Sequence, residues 1–183
     1  MSLLPVTPRL LTVAEYLTLG EPESGYTELD EGRLVASPSA SREHNRGAFR
    51  LANQLEAQLP DHLEVFLDID VDLQLTSPDE PGFVRRPDVV VARHGKGLIA
   101  AQDVVLVVEI VSPGSVRTDN LVKRSEYADA GIPHYWIVDI AGPVSMVACH
   151  LAGSFGYADA GVVTGMFQTS EPFAVRIDLD ALI

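Results

Sequence analysis

Only one cysteine, Cys149, occurs in the 183 residues. That excludes an intrachain disulfide and a zinc site built on several thiolates. No apolar run approaches ~18 residues, so no transmembrane helix and no membrane partner are expected. The start, Met1-Ser2-Leu3-Leu4-Pro5, has no basic segment ahead of an apolar one. No signal peptide is therefore expected, and the expected compartment is the cytoplasm. Cations are scarce: 13 Lys and Arg stand against 26 Asp and Glu, a net charge of −13. A chain with that mean field is not a passive binder of polyanions. The bulk charge says nothing about placement, however, and most of the cations fall between Arg33 and Arg124. Lysine is the scarcest of them, with only Lys96 and Lys123.

What is present is enough for a core. The chain is 46% hydrophobic and has the length of one domain, taken as 1–183. Thr12-Val13-Ala14-Glu15 is a capping box that opens a short helix to about Leu19. Glu28 to Val35 reads as a hairpin turning near Gly32. A helix is expected from Arg42 to Leu59, after N-cap candidates in Ser37-Pro38-Ser39-Ala40-Ser41 and before Pro60. His44, Ala48, Leu51, Ala52, Leu55 and Leu59 share its apolar stripe, and Arg42, Arg46 and Arg50 form a row on the opposite side. Leu67 to Leu75 alternates, which predicts one half-buried strand with Asp68, Asp70 and Asp72 on a solvated face. Asp88–Ala92 and Val104–Val111 are uniformly apolar, short and Val-rich, as expected of central strands covered on both faces. Asp119 is placed to cap a helix over Asn120–Ala130, stopped by Gly131 and Pro133. His134–Asp139 reads as another buried strand, and Val144–Leu151, Gly156–Ala158 and Phe173–Ile177 as short antiparallel ones. The fold class is therefore α/β, a mixed sheet flanked by helices.

Two acids lie inside apolar strands, where an unpartnered carboxylate costs several kcal/mol (roughly). Glu109 sits in Val-Val-Leu-Val-Val-Glu-Ile-Val, and Asp88 opens Val89-Val90-Val91. If these strands pair antiparallel with Asp88 opposite Glu109, the turn centres between Leu98 and Ile99, beside the Gly-rich break Arg93-His94-Gly95-Lys96-Gly97. Facing residues share one side of a sheet. Adjacent carboxylates repel unless a divalent cation lies between them. Magnesium, with manganese as its substitute, suits oxygen donors and few protein ligands. The Ile110 carbonyl is a further candidate ligand. Lys123 shares a helix face with Asn120, Tyr127 and Ala130, and that helix follows directly from the Glu109 strand. A lysine over the carboxylates can orient a water for attack on a phosphate ester.

Pro87-Asp88 followed by Glu109-Ile110-Val111 resembles the PD-(D/E)XK nuclease superfamily and, within it, the Uma family of putative restriction endonucleases. Further residues carry the resemblance: Tyr26-Thr27-Glu28-Leu29, Gly32, Ser37-Pro38, His44, Arg86-Pro87-Asp88-Val89-Val90 and Val108-Glu109-Ile110-Val111-Ser112-Pro113. Lys123, Tyr127, Ala130-Gly131 and Tyr135-Trp136-Ile137-Val138-Asp139 complete it. No single piece is specific; the ordered set is, and it runs from about Thr12 to the end. The resemblance implies a restriction-endonuclease-like α/β/α fold, magnesium, and cleavage of phosphodiester bonds in DNA. It makes Asp88 and Glu109 metal ligands and places Glu28 and His44 at the site. The superfamily's lysine normally stands two residues after the second acid, where this chain has Val111. In the family the next helix supplies it, and Lys123 matches that position. A homodimer is expected, since two sites would serve the two strands of a duplex. Two other readings stand beside the nuclease: a non-catalytic binding or assembly module on a degenerate nuclease fold, motivated by Val111 and the charge, and a phosphoesterase acting on small nucleotides.

Overall fold

The structure, a computed structural model, describes residues 9–20, 22, 23, 25–37, 39–111 and 118–183, with backbone alone at 118–120. The expected chain break at Ser112-Pro113-Gly114 and the capping side chain of Asp119 lie outside what is described. The capping box forms: Thr12 Oγ1 accepts from the Glu15 N–H and the Glu15 carboxylate accepts from the Thr12 N–H, opening helix α1 (Val13–Leu17). Strands β1 (Tyr26–Asp30) and β2 (Arg33–Ser37) are joined by Glu31 and Gly32, both left-handed at φ 47° and 74°. This is the mirror-image two-residue turn that matches strand twist. Gly32 is required twice over, because a Cβ there would come within 2.8 Å of Pro81 Cβ and 2.9 Å of the Leu11 nitrogen. Helix α2 (Arg42–Glu56) starts at Ser41, whose hydroxyl accepts from the His44 N–H, and buries Ala48, Leu51, Ala52 and Leu55. It stops at Glu56 rather than Leu59, since Pro60 disfavours helical geometry in the residue before it.

The alternating segment is two elements rather than one. Strand β3 (Leu63–Leu67) ends where Asp68 turns left-handed at φ 47°, and β4 (Val71–Asp72) resumes in a different sheet. Strand β5 (Val84–Arg85) leads through Arg86-Pro87-Asp88 into β6 (Val89–Arg93). Then follow β7 (Ile99–Ala100) and β8 (Val104–Val111). A π-helical segment, Thr118–Lys123, precedes α3 (Arg124–Asp129), so the predicted helix is wound differently in its first half. The rest comprises β9 (His134–Asp139), β10 (Ser145–Leu151), β11 (Tyr157–Thr164), β12 (Met166–Thr169) and β13 (Val175–Asp178).

The main sheet has the order β11-β10-β9-β8-β6-β3. Its β8–β9 pair is parallel and its other pairs antiparallel, so it is mixed. One face packs on α2 and the β12–β13 hairpin through Leu51, Leu55, Val108, Trp136 and Ile177. The other packs on α3 and a second sheet of order β2-β1-β5-β4-β7 through Val71, Val90, Val107, Tyr127 and Tyr135. Helices flank the central sheet as expected, with the small second sheet as an addition that its two-residue strands hid from periodicity. Among the described residues, no helix is long and apolar enough to cross a membrane.

Candidate active site

Strand pairing places the two acids side by side. Val89 faces Val108, Val90 faces Val107 and Val91 faces Leu106, so the register carried one residue further sets Asp88 against Glu109. Asp88 stands just outside β6, and its carboxylate spans the strand ends. Oδ2 accepts from the Ile110 N–H at 2.6 Å, and Oδ1 lies 2.8 Å from His44 Nε2 in the first turn of α2. Ser41 fixes that turn by capping the His44 amide, so one serine hydroxyl helps aim the imidazole.

Glu109 is held from the other side. Lys123 Nζ donates to Glu109 Oε1 at 2.9 Å and lies 3.4 Å from Glu28 Oε1, while the Tyr127 hydroxyl donates to Glu109 Oε1 at 2.8 Å. All three charged groups are buried: Glu28 and Glu109 are 3% exposed and Lys123 is 5% exposed. Burial first, then the Glu109 carboxylate beside it, pushes the Tyr127 phenol well above its ordinary range, so it stays a donor at neutral pH. The structure therefore brings together Asp88, Glu109, Lys123, His44 and Glu28, five side chains from β1, α2, the β5–β6 link, β8 and the π-helical segment. The Ile110 backbone contributes its N–H to Asp88 in the same place.

Three further groups had no role assigned at the site, although Tyr26 and Arg86 stand among the residues that carry the family resemblance. Arg85, 2% exposed, forks onto Glu126 through Nε at 2.6 Å and through a terminal nitrogen at 2.5 Å. It also reaches Glu28 Oε2 at 3.3 Å. It ties β5, β1 and α3 into one unit; burial works against its charge, but the Glu126 hydrogen bond and the Glu28, Glu126 and Asp30 carboxylates outweigh that and hold the guanidinium protonated. Tyr26 shares the β1 face of Glu28 two residues on. Burial first raises its phenol to about 12, with Lys123 opposing and Glu28 reinforcing the shift. The Arg86 guanidinium lies 5.7 Å from the Tyr26 ring centroid and bonds Asp70 at 2.9 Å, while the Arg86 N–H donates to Glu28 Oε1. A signal for Tyr26 existed in the i, i+2 spacing to Glu28. None existed for Arg85 against Arg86, since which of two neighbours turns inward depends on the register of a two-residue strand.

Two acids assigned to a solvated face lie at the rim of this site, Asp68 exposed as expected and Asp70 half-buried. Asp70 is paired with Arg86. Asp68 donates its N–H to the Asp88 carbonyl, and burial followed by the Asp88 charge holds its carboxyl above the usual range. The left-handed turn at Asp68 ends the strand here, which is why alternation misplaced Asp70. Arg50 also leaves the expected arginine row, because it donates to the Ala181 and Ile183 carbonyls at the chain end.

The donor set suits a hard dication. Glu28, Asp88, Glu109 and Glu126 supply four carboxylates against the two cations Lys123 and Arg85, which leaves −2 with His44 neutral. Two adjacent carboxylates beside a strand-end carbonyl match the few protein oxygens that magnesium takes. Among the described residues, no group of three or more His, Cys, Asp or Glu is placed to hold a metal ion.

The chain as a whole resembles known proteins. A model of the Uma2 family, described as "Putative restriction endonuclease", matches residues 13–174. A crystal structure of a putative nuclease belonging to DUF820 from Anabaena variabilis superposes with a TM-score of 0.70 at 17% identity, covering 94% of this chain and 97% of that one. The shared architecture is the restriction-endonuclease-like fold. A comparison with curated proteins finds no match.

Proposed function

We propose, for a chain that belongs to the Uma2 family, that it is a divalent-metal-dependent endonuclease hydrolysing DNA phosphodiester bonds. The observation that carries this reading is the buried Asp88–Glu109 pair with Lys123 bonded to Glu109. Asp88, Glu109 and the Ile110 carbonyl would hold magnesium, or manganese in its place. Bound there, the cation supplies Lewis-acid polarisation of a phosphoryl oxygen and acidifies a water.

The remaining work falls to the chain's own groups. His44 and the Ile110 N–H take one Asp88 oxygen each and fix the carboxylate's plane. Glu28, anchored by Arg85 and the Arg86 N–H, holds Lys123 from behind. Lys123 is thereby kept against Glu109, where its ammonium orients the attacking water and offsets charge growing on phosphorus-bound oxygens. Tyr127 locks the Glu109 rotamer through its hydroxyl. We place the reaction in the cytoplasm and assign the working unit as a homodimer, so that each strand of a duplex meets one site.

The test is a substrate panel with magnesium or EDTA: supercoiled plasmid, single-stranded DNA, RNA and a small phosphodiester. The reading expects nicked and linear plasmid in magnesium and none in EDTA. Cleavage of the small diester alone would favour the phosphoesterase. No cleavage of any substrate, with either magnesium or manganese, would overturn the reading.

A further inference from the structure

If the site cuts DNA, the chain must hold a polyanion against its own charge of −13. Most of its cations are already engaged. Arg9, Arg33, Arg85, Arg86, Lys123 and Arg124 are all spent on carboxylates. Arg50 and Arg93 are spent on backbone carbonyls. Among the described residues this leaves Arg42, Arg46, Lys96 and Arg176 outside any ion pair. Arg176 lies on β13, bonded through its backbone to Gln58 beyond the far end of α2, and Lys96 lies past the end of β6 opposite to Asp88. Only Arg42 and Arg46 belong to the site's end of the molecule, and they bracket His44 in sequence.

Their surroundings fit one kind of partner. At 100° per residue, Arg42, Asn45, Arg46, Phe49 and Asn53 fall within about 100° of the α2 circumference. All five are exposed, and Phe49 is 58% exposed. The first acid on this stripe is Glu56, at the last turn of the helix. Glu43 lies to one side, its carboxylate held below the ordinary range by its own N–H first, then by the Ser41 hydroxyl and last by the Arg42 charge, without an ion pair being formed. Arg42 and Arg46 are one turn apart, a rise of about 6 Å, which suits successive phosphates. They sit across the helix from His44, but Cα–Cβ bonds tilt toward a helix N-terminus. Both side chains therefore lean to the end where His44 meets Asp88. The polar asparagines and the aromatic ring add hydrogen bonds and apolar contact to sugars. Resting on the nuclease reading, we propose that this outer stripe of α2 is the surface on which duplex DNA is seated beside the site, through phosphate contacts from Arg42 and Arg46.

The test is fluorescence anisotropy with a labelled duplex over a salt series, in EDTA and again with calcium, so that binding is read without turnover. Arg42→Gln/Arg46→Gln is compared with Lys96→Gln/Arg176→Gln, which changes the net charge equally. The first double variant is expected to bind at least tenfold more weakly, with a salt slope shallower by about 1.8, from ~0.9 per lost phosphate contact. The second is expected to follow the wild type. Equal slopes in wild type and the first variant would overturn the proposal, as would equal losses in both variants or no duplex binding by the wild type in either condition. Binding with the expected slopes but no cleavage in magnesium would sustain it and count against the nuclease reading instead.

Discussion

Lys123 Nζ lies 2.9 Å from Glu109 Oε1 with both side chains almost wholly buried, and it reaches Glu28 Oε1 at 3.4 Å as well. Removing one partner of such a pair leaves an uncompensated buried charge, worth about 3–5 kcal/mol. Lys123→Met is expected to lose about that much stability in EDTA. Lys123→Met/Glu109→Gln should recover part of it, since the stranded carboxylate is gone. Urea unfolding of the four proteins in this cycle measures the coupling. A coupling energy near zero would mean that the pair is not formed in solution.

Arg85 is expected to be structural for the site without touching the substrate. Arg85→Ala strands Glu126 and takes one of the partners of Glu28, and should cost about 3–5 kcal/mol. Arg85→Lys keeps the charge but cannot fork onto Glu126, and is expected to fall between. Urea midpoints check the order. An alanine variant as stable as wild type would contradict the network.

Alkali should unfold the protein over a defined window. Burial raises the Tyr26 phenol to about 12 and the Cys149 thiol to about 11, above their unfolded values of 10.0 and 9.0. Each group binds its proton more tightly when folded, so its contribution is complete below the unfolded value and is lost as pH rises through the folded one. Stability is expected to decline from about pH 9 upward, with Tyr127 and Tyr157, also raised chiefly by burial, adding to the loss at the alkaline end. Tyr26→Phe should flatten the part above pH 10. At pH 8, Cys149 is expected to resist a thiol reagent until urea is added, and rapid labelling of the native protein would contradict its burial.

The parts of the site legible in the sequence were those written in strand patterns. An acid inside an apolar run is visible without coordinates, and a constant index sum sufficed to set Asp88 against Glu109, as the Val89–Val108 and Val90–Val107 pairs now show. Lys123 was visible because lysine is so rare here. Asp70 was misplaced because a single left-handed residue, Asp68, redirects the strand without disturbing its alternation. Arg85 was missed because β5 is two residues long, too short for any period to declare which neighbour turns inward.

Magnesium should stabilise the folded chain by binding it alone. At a concentration a hundredfold above its dissociation constant the gain is about 2.7 kcal/mol. Thermal unfolding of wild type in magnesium against EDTA is expected to show a rise in Tm, and Asp88→Asn to show none. Without metal, Asp88→Asn is expected to be no less stable than wild type, because it removes one charge from an acid-rich cluster.

If Asp88 and Glu109 together hold one dication, a titration of manganese, followed by the loss of its free electron paramagnetic signal, will separate wild type from Glu109→Gln. One saturable site per chain is expected in wild type, displaced by magnesium, with affinity at least tenfold weaker in the variant. Equal manganese binding by both proteins, or none by either, would contradict that shared site.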